Sequence, residues 1–528
     1  MREAGMGEVG QPLPLVSPSS DGATPQWAKI IDQSKCIGCH ACTTACKSEN
    51  EVPLSVSRTY VKSVDVGVFP EARRNFQVTR CNQCVDAPCV TACPTSAMFK
   101  RADGIVDFDK ESCIGCKACI AACPYDAIFI NPEDHSAEKC NFCAHRIDVG
   151  LEPACSVVCP VEAIIVGDMN DPLSKVSQVV GRDPVNVRRP EKDTRPKLFY
   201  KGAHQSTLDP LAAQRPTGDI FAWASQAPED GHRINSGSAP GAGSSSAAAI
   251  LAYDVGHTVP WDWRVGLYTW TKSMAAGIYV VLAALVFFGA LEASNALWTV
   301  GAPVLAGLFL AVTGVVLVSD LEHPGRFYYI LTRPQWRSWL VRGAVILTGY
   351  AVVLAIHFLA GLLGADGVLG WLAVAGVPLA VLTAVYTAFL FAQAKARDLW
   401  QNPLLPPHLV VQAVMAGAAL AVPFAMWLAP DTVAPLGWTL AAAAALHLLL
   451  VLGEVTLPHP TAHARTAAHN LTSGRFARPF RASLVLCALA MAAPVAPVVA
   501  LVAAGLGLAG LLLFEHAYVQ AGQSVPLA

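Results

Sequence analysis

Long apolar stretches fill the second half of the chain, whereas the first 260 residues mix apolar positions with charged residues, prolines and polar loops. Each of the first six stretches is close to the ~20 residues that a helix needs to cross ~30 Å of hydrocarbon. A seventh, 482–514, would form a helix of ~50 Å, so we divide it near Pro494 and Pro497. The pattern predicts eight membrane spans, the first six being 273–291, 298–319, 343–365, 367–394, 408–430 and 432–453.

The polar half carries three short apolar segments, which we predict to be strands: 97–99, 127–130 and 163–166. Its last part, 184–260, lacks cysteine and contains a Gly-, Ser- and Ala-rich run at 236–249 that is typical of a flexible tether. We therefore expect an α+β domain followed by an all-α bundle. The expected divisions are a disordered segment 1–25, a folded domain 26–183, an extended tail and linker 184–260, and a membrane domain 261–528.

Composition supports this division. Only 14% of the 528 residues are charged, against about 25% in a typical soluble protein, and the mean hydropathy is +0.43. These values exclude a purely soluble protein. The net charge of −2 provides no basic field, so we expect no nucleic-acid partner.

Sixteen of the 17 cysteines lie between Cys36 and Cys159, in four groups of four. The first and third groups share the spacing C-x2-C-x2-C-x3-C and repeat at an offset of 77 residues. The second and fourth groups are looser versions of the same pattern. The groups are Cys36, Cys39, Cys42 and Cys46; Cys81, Cys84, Cys89 and Cys93; Cys113, Cys116, Cys119 and Cys123; and Cys140, Cys143, Cys155 and Cys159.

This spacing is typical of two-cluster ferredoxins, in which three thiolates of a tight loop bind one cubane and the fourth binds another. Gly38 and Gly115 would allow the close backbone approach that such loops need. Structural zinc does not explain the third and fourth cysteines, and disulfides would need an exported domain, for which 1–25 carries no signal. We favour iron–sulfur clusters that carry electrons, and we expect Cys487 to be a core residue of a membrane helix.

An even number of spans returns both ends of the bundle to one face, and the charged loops indicate which face that is. The turns near 293–297, 364–367, 430–434 and 494–497 hold no Lys or Arg. By the positive-inside rule, the cysteine-rich domain should be cytoplasmic. The basic loop residues on its side are Arg326, Arg333, Arg337, Lys395, Arg397, Arg465, Arg475, Arg478 and Arg481.

Polar residues near the span ends are the candidate chemical groups of the membrane half. Lys272, Asp320 and His323 flank the first pair of spans, and ionisable groups at such positions indicate function more often than they do elsewhere. His357 and His447 lie deeper. We expect each to be a hydrogen-bonded core histidine rather than a proton carrier or a haem ligand.

Both halves resemble known proteins. Residues 30–200 resemble the four-cluster ferredoxin-like subunit of molybdenum and tungsten bis-pterin oxidoreductases, such as the dimethyl sulfoxide, polysulfide, tetrathionate and nitrite reductase systems. Residues 255–528 resemble the polysulfide-reductase membrane subunit family. The membrane motifs are Trp261-Asp262-Trp263-Arg264, Asp320-Leu321-Glu322-His323-Pro324-Gly325-Arg326-Phe327, Thr332-Arg333-Pro334 with Trp339, and Gln520-Ala521-Gly522-Gln523.

The resemblance implies four [4Fe–4S] clusters and a quinone (ubiquinone or menaquinone) bound near Tyr268, Lys272, Asp320 and His323. It also implies how the cysteines combine across the groups. The first set would be Cys36, Cys39, Cys42 and Cys159; the second Cys46, Cys140, Cys143 and Cys155; the third Cys81, Cys84, Cys89 and Cys123; and the fourth Cys93, Cys113, Cys116 and Cys119.

Relatives usually keep these modules on separate chains, and many face the periplasm. Here they are fused. The basic loops favour an iron–sulfur domain on the cytoplasmic side of the inner (cytoplasmic) membrane, as in membrane-bound sulfite dehydrogenase and phenylacetyl-CoA oxidoreductase. Our first hypothesis is an electron-transfer and membrane-anchor subunit that reacts with the quinone pool. A separate molybdopterin or tungstopterin subunit would perform the substrate reaction, with no pterin in this chain. The alternatives are a redox-driven ion-translocating module and a pure anchor.

Overall fold

The computed structural model describes residues 24–67, 70–214 and 249–528. Most of the segment expected to be disordered, 1–23, lies outside these residues. So does nearly all of the predicted tether, since 215–248 are also outside them.

Two four-stranded sheets and two hairpins form the β-structure of the cysteine-rich half as described. The three strands predicted from sequence are confirmed as β4, β6 and β8. The strands are β1 (Trp27–Asp32), β2 (Thr59–Val66), β3 (Arg73–Arg80), β4 (Met98–Lys100), β5 (Val106–Phe108), β6 (Ile128–Ile130), β7 (Ala137–Lys139), β8 (Ile164–Asp168), β9 (Val185–Asn186), β10 (Leu198–Lys201), β11 (Ala213–Gln214) and β12 (Ala249–Tyr253).

The segment 184–214 is not the extended tail that we expected. In the first sheet, ordered β8-β1-β10-β9, strand β10 pairs in parallel with β1. Leu198 and Tyr200 are fully buried there, so this folded domain continues well past residue 183. Further along, β12 pairs with β2 in the second sheet and joins the linker's far end to the same domain. Loss of cysteine marked the end of the cluster motif, not the end of the domain.

Short helices hold most of the cysteine loops in place. Cys42 and Cys46 lie on α1, Cys89 on α2, Cys119 on α3 and Cys155 on α5. Because several cysteines lie on rigid elements, their side chains have defined directions. The helices of this half are α1 (Ala41–Glu49), α2 (Pro88–Ala92), α3 (Ala118–Ala122), α4 (Ala144–Ile147), α5 (Ala154–Val157), α6 (Lys175–Arg182) and α7 (Gln205–Leu208).

Eight helices of the described residues are long and apolar enough to cross a membrane, as predicted. The long last stretch divides as expected, since α16 ends at Ala490 and α17 begins at Pro497. The helices of this half are α8 (Trp263–Phe287), α9 (Ala302–Ser319, preceded by the π-turn Leu297–Gly301), α10 (Tyr329–Thr332), α11 (Trp339–Leu362), α12 (Asp366–Gln393), α13 (Leu405–Leu428), α14 (Val433–Thr456), α15 (Ala462–Thr472), α16 (Ala477–Ala490) and α17 (Pro497–Gln523).

Helix α8 lies at the centre of the bundle and contacts α9, α12, α13 and α17. Its crossing with α13 is a contact between bare backbones. A Cβ atom on Gly277 would lie 1.7 Å from the carbonyl oxygen of Ala413, and one on Gly417 would lie 2.0 Å from the carbonyl carbon of Gly277. Small residues allow such close helix packing in membranes. This crossing positions the polar residues of α8 and α13 described below.

Candidate redox site

The structure brings the cysteines together in the sets that the resemblance implied. Separate cavities are lined by all four cysteines of the first, second and fourth sets. In the third set, Cys84 and Cys89 each interact electrostatically with both Cys81 and Cys123. Each set therefore combines three cysteines of one sequence group with a cysteine of another.

The four sets follow one another in a row. Cys42 of the first set interacts electrostatically with Cys155 of the second, and Cys81 of the third with Cys140 of the second. Cys119 of the fourth set interacts in the same way with Cys89 of the third. The order is first, second, third, fourth.

Polar atoms around the sets fit thiolates that hold an iron–sulfur cluster. Backbone N–H groups donate to Cys159 Sγ from Ala163 at 3.2 Å, and to Cys93 Sγ from Met98 at 3.4 Å. Arg80 donates from Nη1 to Cys155 Sγ at 2.9 Å, while its Nε and Nη2 are buried without a hydrogen-bond partner. Orphaned donors of a buried cation suit the sulfide and thiolate acceptors of a cluster.

The electrostatics of Cys155 support the same conclusion. Burial opposes ionisation of this thiol, yet Arg80 and Lys29 lower its pKa to about 7. In the first, second and fourth sets, the four thiols also line a cavity rather than converge on a single point. Within the described ranges, no three His, Cys, Asp or Glu side chains are arranged to hold a single metal ion. A cluster of several atoms fits these sets better than one zinc ion.

The fourth set lies against the membrane half. Trp261 donates from Nε1 to the carbonyl oxygen of Cys116 at 3.3 Å, and Arg326 donates to the carbonyl oxygen of Cys113 at 3.0 Å. Gly115 has a φ of 69°, and a Cβ there would meet Cβ of Glu322 at 2.3 Å. Glycine is therefore needed at this loop for two reasons, its left-handed backbone and the close approach of the membrane half.

Two of the four quinone candidates lie inside the bundle. Lys272 is fully buried and donates from Nζ to the carbonyl oxygen of Ala384 and to Oγ1 of Thr387, both at 2.7 Å. Thr387 also hydrogen-bonds Tyr268, one turn before Lys272 on α8. Tyr268 and Lys272 thus form one buried polar group with Thr387.

The other two candidates lie at the interface between the halves. Asp320 directly follows the last residue of α9. Its Oδ1 lies 3.8 Å from Nζ of Lys117, and burial raises the pKa of its carboxyl to about 6. Asp320 is within electrostatic range of Tyr268. His323 contacts the cysteine-rich half: its backbone N–H donates to the carbonyl oxygen of Ile114, and its ring interacts electrostatically with His135. Burial and Arg326 lower the pKa of His323.

The buried network around the candidates includes residues beyond the four that the resemblance assigns to quinone. Glu515 of α17 is within electrostatic range of Lys272 and hydrogen-bonds Thr269. His408 of α13 lies 2.8 Å from His447 and 2.9 Å from Glu454 of α14. His357 and His447 are both buried and hydrogen-bonded, but His447 also contacts a second buried histidine, His408, which the expectation of a simple core residue did not include. Ionisable residues in neighbouring apolar stretches were the available signal, but sequence did not show which of them meet.

Comparison with known proteins supports both halves. The family described as Polysulphide reductase, NrfD matches residues 254–526. A 4Fe-4S dicluster domain matches residues 72–169, and a 4Fe-4S binding domain matches residues 27–48.

Curated relatives match the cysteine-rich half. A tetrathionate reductase subunit of Salmonella typhimurium is 41% identical over 205 residues, covering 37% of this chain and 80% of that protein. A polysulfide reductase component of Wolinella succinogenes is 43% identical over 177 residues, covering 33% and 93%. The iron-sulfur subunit of a putative dimethyl sulfoxide reductase of Halobacterium salinarum is 37% identical over 221 residues, covering 36% and 84%.

Proposed function

This protein belongs to the Polysulphide reductase, NrfD family and carries a fused ferredoxin-like iron–sulfur domain, and we propose that it is the quinone-reactive electron-transfer subunit of a respiratory oxidoreductase. It would relay electrons between a separate catalytic subunit and the membrane quinone pool. The chain itself performs no reaction on the catalytic subunit's substrate. Sulfite dehydrogenase and polysulfide reductase are the systems that it is expected to resemble.

The observation that carries this proposal is the row of four cysteine sets, which ends at the membrane half. Clusters bound there would pass single electrons along the row. At the far end, Cys39 of the first set is exposed, which suits exchange with another protein. At the near end, Trp261 bonds to Cys116 and stacks on Trp400 at a centroid distance of 5.5 Å. We propose four [4Fe–4S] clusters, one for each set.

The quinone chemistry would take place among the buried polar residues that follow Trp261. Tyr268 is seven residues further along the chain and Lys272 four more, so both lie within about 20 Å of Trp261 along the helix. A quinone oxygen needs a donor for its carbonyl form and a proton when it is reduced. Lys272 and Tyr268 can donate, and Asp320 can exchange protons at the interface. His323, which lies at the interface and contacts the cysteine-rich half, is a further proposed contributor.

The partner and the side of the membrane are inferred from the relatives and the charged loops. The relatives are named as components of tetrathionate, polysulfide and dimethyl sulfoxide reductases. We therefore propose a molybdopterin or tungstopterin catalytic partner. Since the basic loops lie on the side of the iron–sulfur domain, we place that domain on the cytoplasmic face of the inner membrane.

The direct test is reoxidation of the reduced chain by quinone. The chain is purified with its clusters, reduced with dithionite, and mixed with short-chain ubiquinone or menaquinone in a stopped-flow spectrometer. Lys272→Met and Tyr268→Phe should each slow reoxidation at least ~10-fold, because each loses a proton-donating group at the reacting oxygen. Iron content checks that the clusters remain.

Tyr350→Phe is the matched control for Tyr268→Phe. Tyr350 is also fully buried in the bundle, but its hydroxyl donates to the carbonyl oxygen of Ala275 at 2.9 Å rather than joining Lys272 and Thr387. It should leave the rate unchanged. Equal rates in wild type, Lys272→Met and Tyr268→Phe, with iron content intact, would remove these residues from quinone chemistry. A wild-type protein that no quinone reoxidises would refute the proposed function.

A further inference from the structure

Three buried side chains form a continuous hydrogen-bonded chain on one side of the bundle. Nδ1 of His408 lies 2.9 Å from Oε1 of Glu454, and Nε2 of His408 lies 2.8 Å from Nδ1 of His447. Both histidines are fully buried, and Glu454 is 7% exposed. We call Glu454, His408 and His447 the imidazole chain. Ionisable groups linked in this way inside a membrane domain are costly, so their presence points to a function.

The imidazole chain runs from the iron–sulfur side of the bundle into its interior. Glu454 is the third-last residue of α14, and His447 lies seven residues earlier, about 10 Å deeper along the helix. The ring of Phe514 packs against both histidines, at centroid distances of 5.3 and 4.9 Å. The next residue, Glu515, interacts electrostatically with His408 and with Lys272. The imidazole chain therefore borders the buried polar group proposed to meet quinone.

The two histidine rings contact each other directly through their nitrogen atoms. The 2.8 Å separation of His408 and His447 is that of a direct hydrogen bond. The pair is therefore a proton-sharing contact.

One arrangement of protons satisfies every contact of this network. With Glu454 ionised, Nδ1–H of His408 donates to the carboxylate, and Nε2 of His408 accepts from Nδ1–H of His447. Gln412 places its amide nitrogen 3.5 Å from the same Nε2, as suits an acceptor. Nε2 of His447 then keeps a free lone pair. It is buried and has no hydrogen-bond partner among the residues that the structure describes.

We propose that the imidazole chain conducts protons between the interior of the bundle and the iron–sulfur side of the membrane. A proton that binds Nε2 of His447 releases the Nδ1 proton of that ring to Nε2 of His408. His408 in turn passes its Nδ1 proton to the carboxylate of Glu454. One proton enters and one reaches Glu454; only N–H and O–H bonds change, and no electron moves. Transfer in the opposite direction uses the same steps.

This inference rests on the proposed function, because reducing a quinone to quinol consumes two protons and oxidising a quinol releases two. Electrons arrive through the fourth set, whereas protons must reach a buried site through the protein. Lys272 and Glu515 could exchange protons with quinone locally. The imidazole chain would connect that region to water beyond Glu454.

The test uses the whole protein with its clusters, reoxidised by a short-chain ubiquinone in H2O and in D2O. His447→Ala should slow reoxidation at least ~10-fold and increase the solvent isotope effect, because proton delivery becomes limiting. Added imidazole should restore much of the rate by occupying the space left by the ring. His408→Gln should also slow the reaction, since its amide cannot pass a proton from one end to the other.

His357→Ala is the matched control. His357 is also buried in the bundle, and its hydrogen-bond partners among the described residues are the hydroxyl of Tyr279 and the carbonyl oxygen of Trp298 rather than a carboxylate or a second histidine. Its variant should show no imidazole rescue and no change in isotope effect. If His447→Ala reacts at the wild-type rate, or is slow without rescue or isotope change, the proton path is refuted while the quinone reaction stands. If no quinone reoxidises the wild type, both proposals fail.

Discussion

Arg80 offers a sharp test of the electron path, because it is a buried cation in contact with one cysteine set. It is the last residue of β3, is 1% exposed, and donates to Cys155 of the second set at 2.9 Å. Lys29 adds a second cation 3.8 Å from the same sulfur. Positive charge and hydrogen bonds at a cluster favour its reduced form. Arg80→Gln should therefore make the midpoint potential of the second cluster more negative.

The size of the shift follows from the distance. For a charge separation of about 5 Å and an effective dielectric constant of about 20, Coulomb's law gives about 3 kcal/mol for one unit charge. Because 1.36 kcal/mol corresponds to a tenfold change, or 59 mV for one electron, this equals about 130 mV. Arg80 also interacts with Cys36 and Cys42, so the first cluster should shift by a smaller amount and the fourth least.

The assay is a redox titration followed by electron paramagnetic resonance, with iron content measured on the same sample. Arg74→Gln is the matched control: it lies on the same strand, is 55% exposed and pairs with Asp65. It should leave all potentials unchanged. A second-cluster potential that does not move in Arg80→Gln, or an equal shift of every cluster, would refute the assignment of the second set and the row of sets.

Three further predictions concern the whole chain. Burial lowers the pKa of His257, but Asp254 and Asp126 raise it to about 9. The charged imidazole therefore stabilises the folded protein fully below about pH 6.5, and this stabilisation is lost as the pH rises through about 9. The melting temperature should therefore fall between pH 7 and 10, and a melt of His257→Gln with the same pH dependence would contradict this. Gly277→Val should sharply reduce the yield of folded protein on detergent chromatography, because the new Cβ would overlap the carbonyl of Ala413. Gly505→Val is the control and should keep the wild-type yield, since a Cβ there meets open space. Equal yields of the two variants would refute the close crossing of α8 and α13. Chemical analysis should find about 16 iron atoms per chain, and about half that number would mean that two sets hold no cubane.

Features set by local chemistry were predictable. The break between α16 and α17 follows from two prolines, and β4, β6 and β8 follow from short apolar runs between polar loops. The strand β10 was missed because its partner, β1, lies about 170 residues earlier in the chain. Parallel pairing over that separation leaves no local signal beyond a short run of apolar residues.

The cysteine positions could be read because each group repeats a spacing that iron–sulfur chemistry requires. The imidazole chain could not be predicted in this way, because its histidines lie on two different helices and contact each other only when α13 packs against α14. Membrane helices are apolar on nearly every side, so their sequence periodicity does not reveal which face meets a neighbour. His408 also lies in the first turn of α13, where a polar residue has an ordinary interfacial explanation. Its contact with His447 forms between α13 and α14, whose packing against each other is set by the whole bundle.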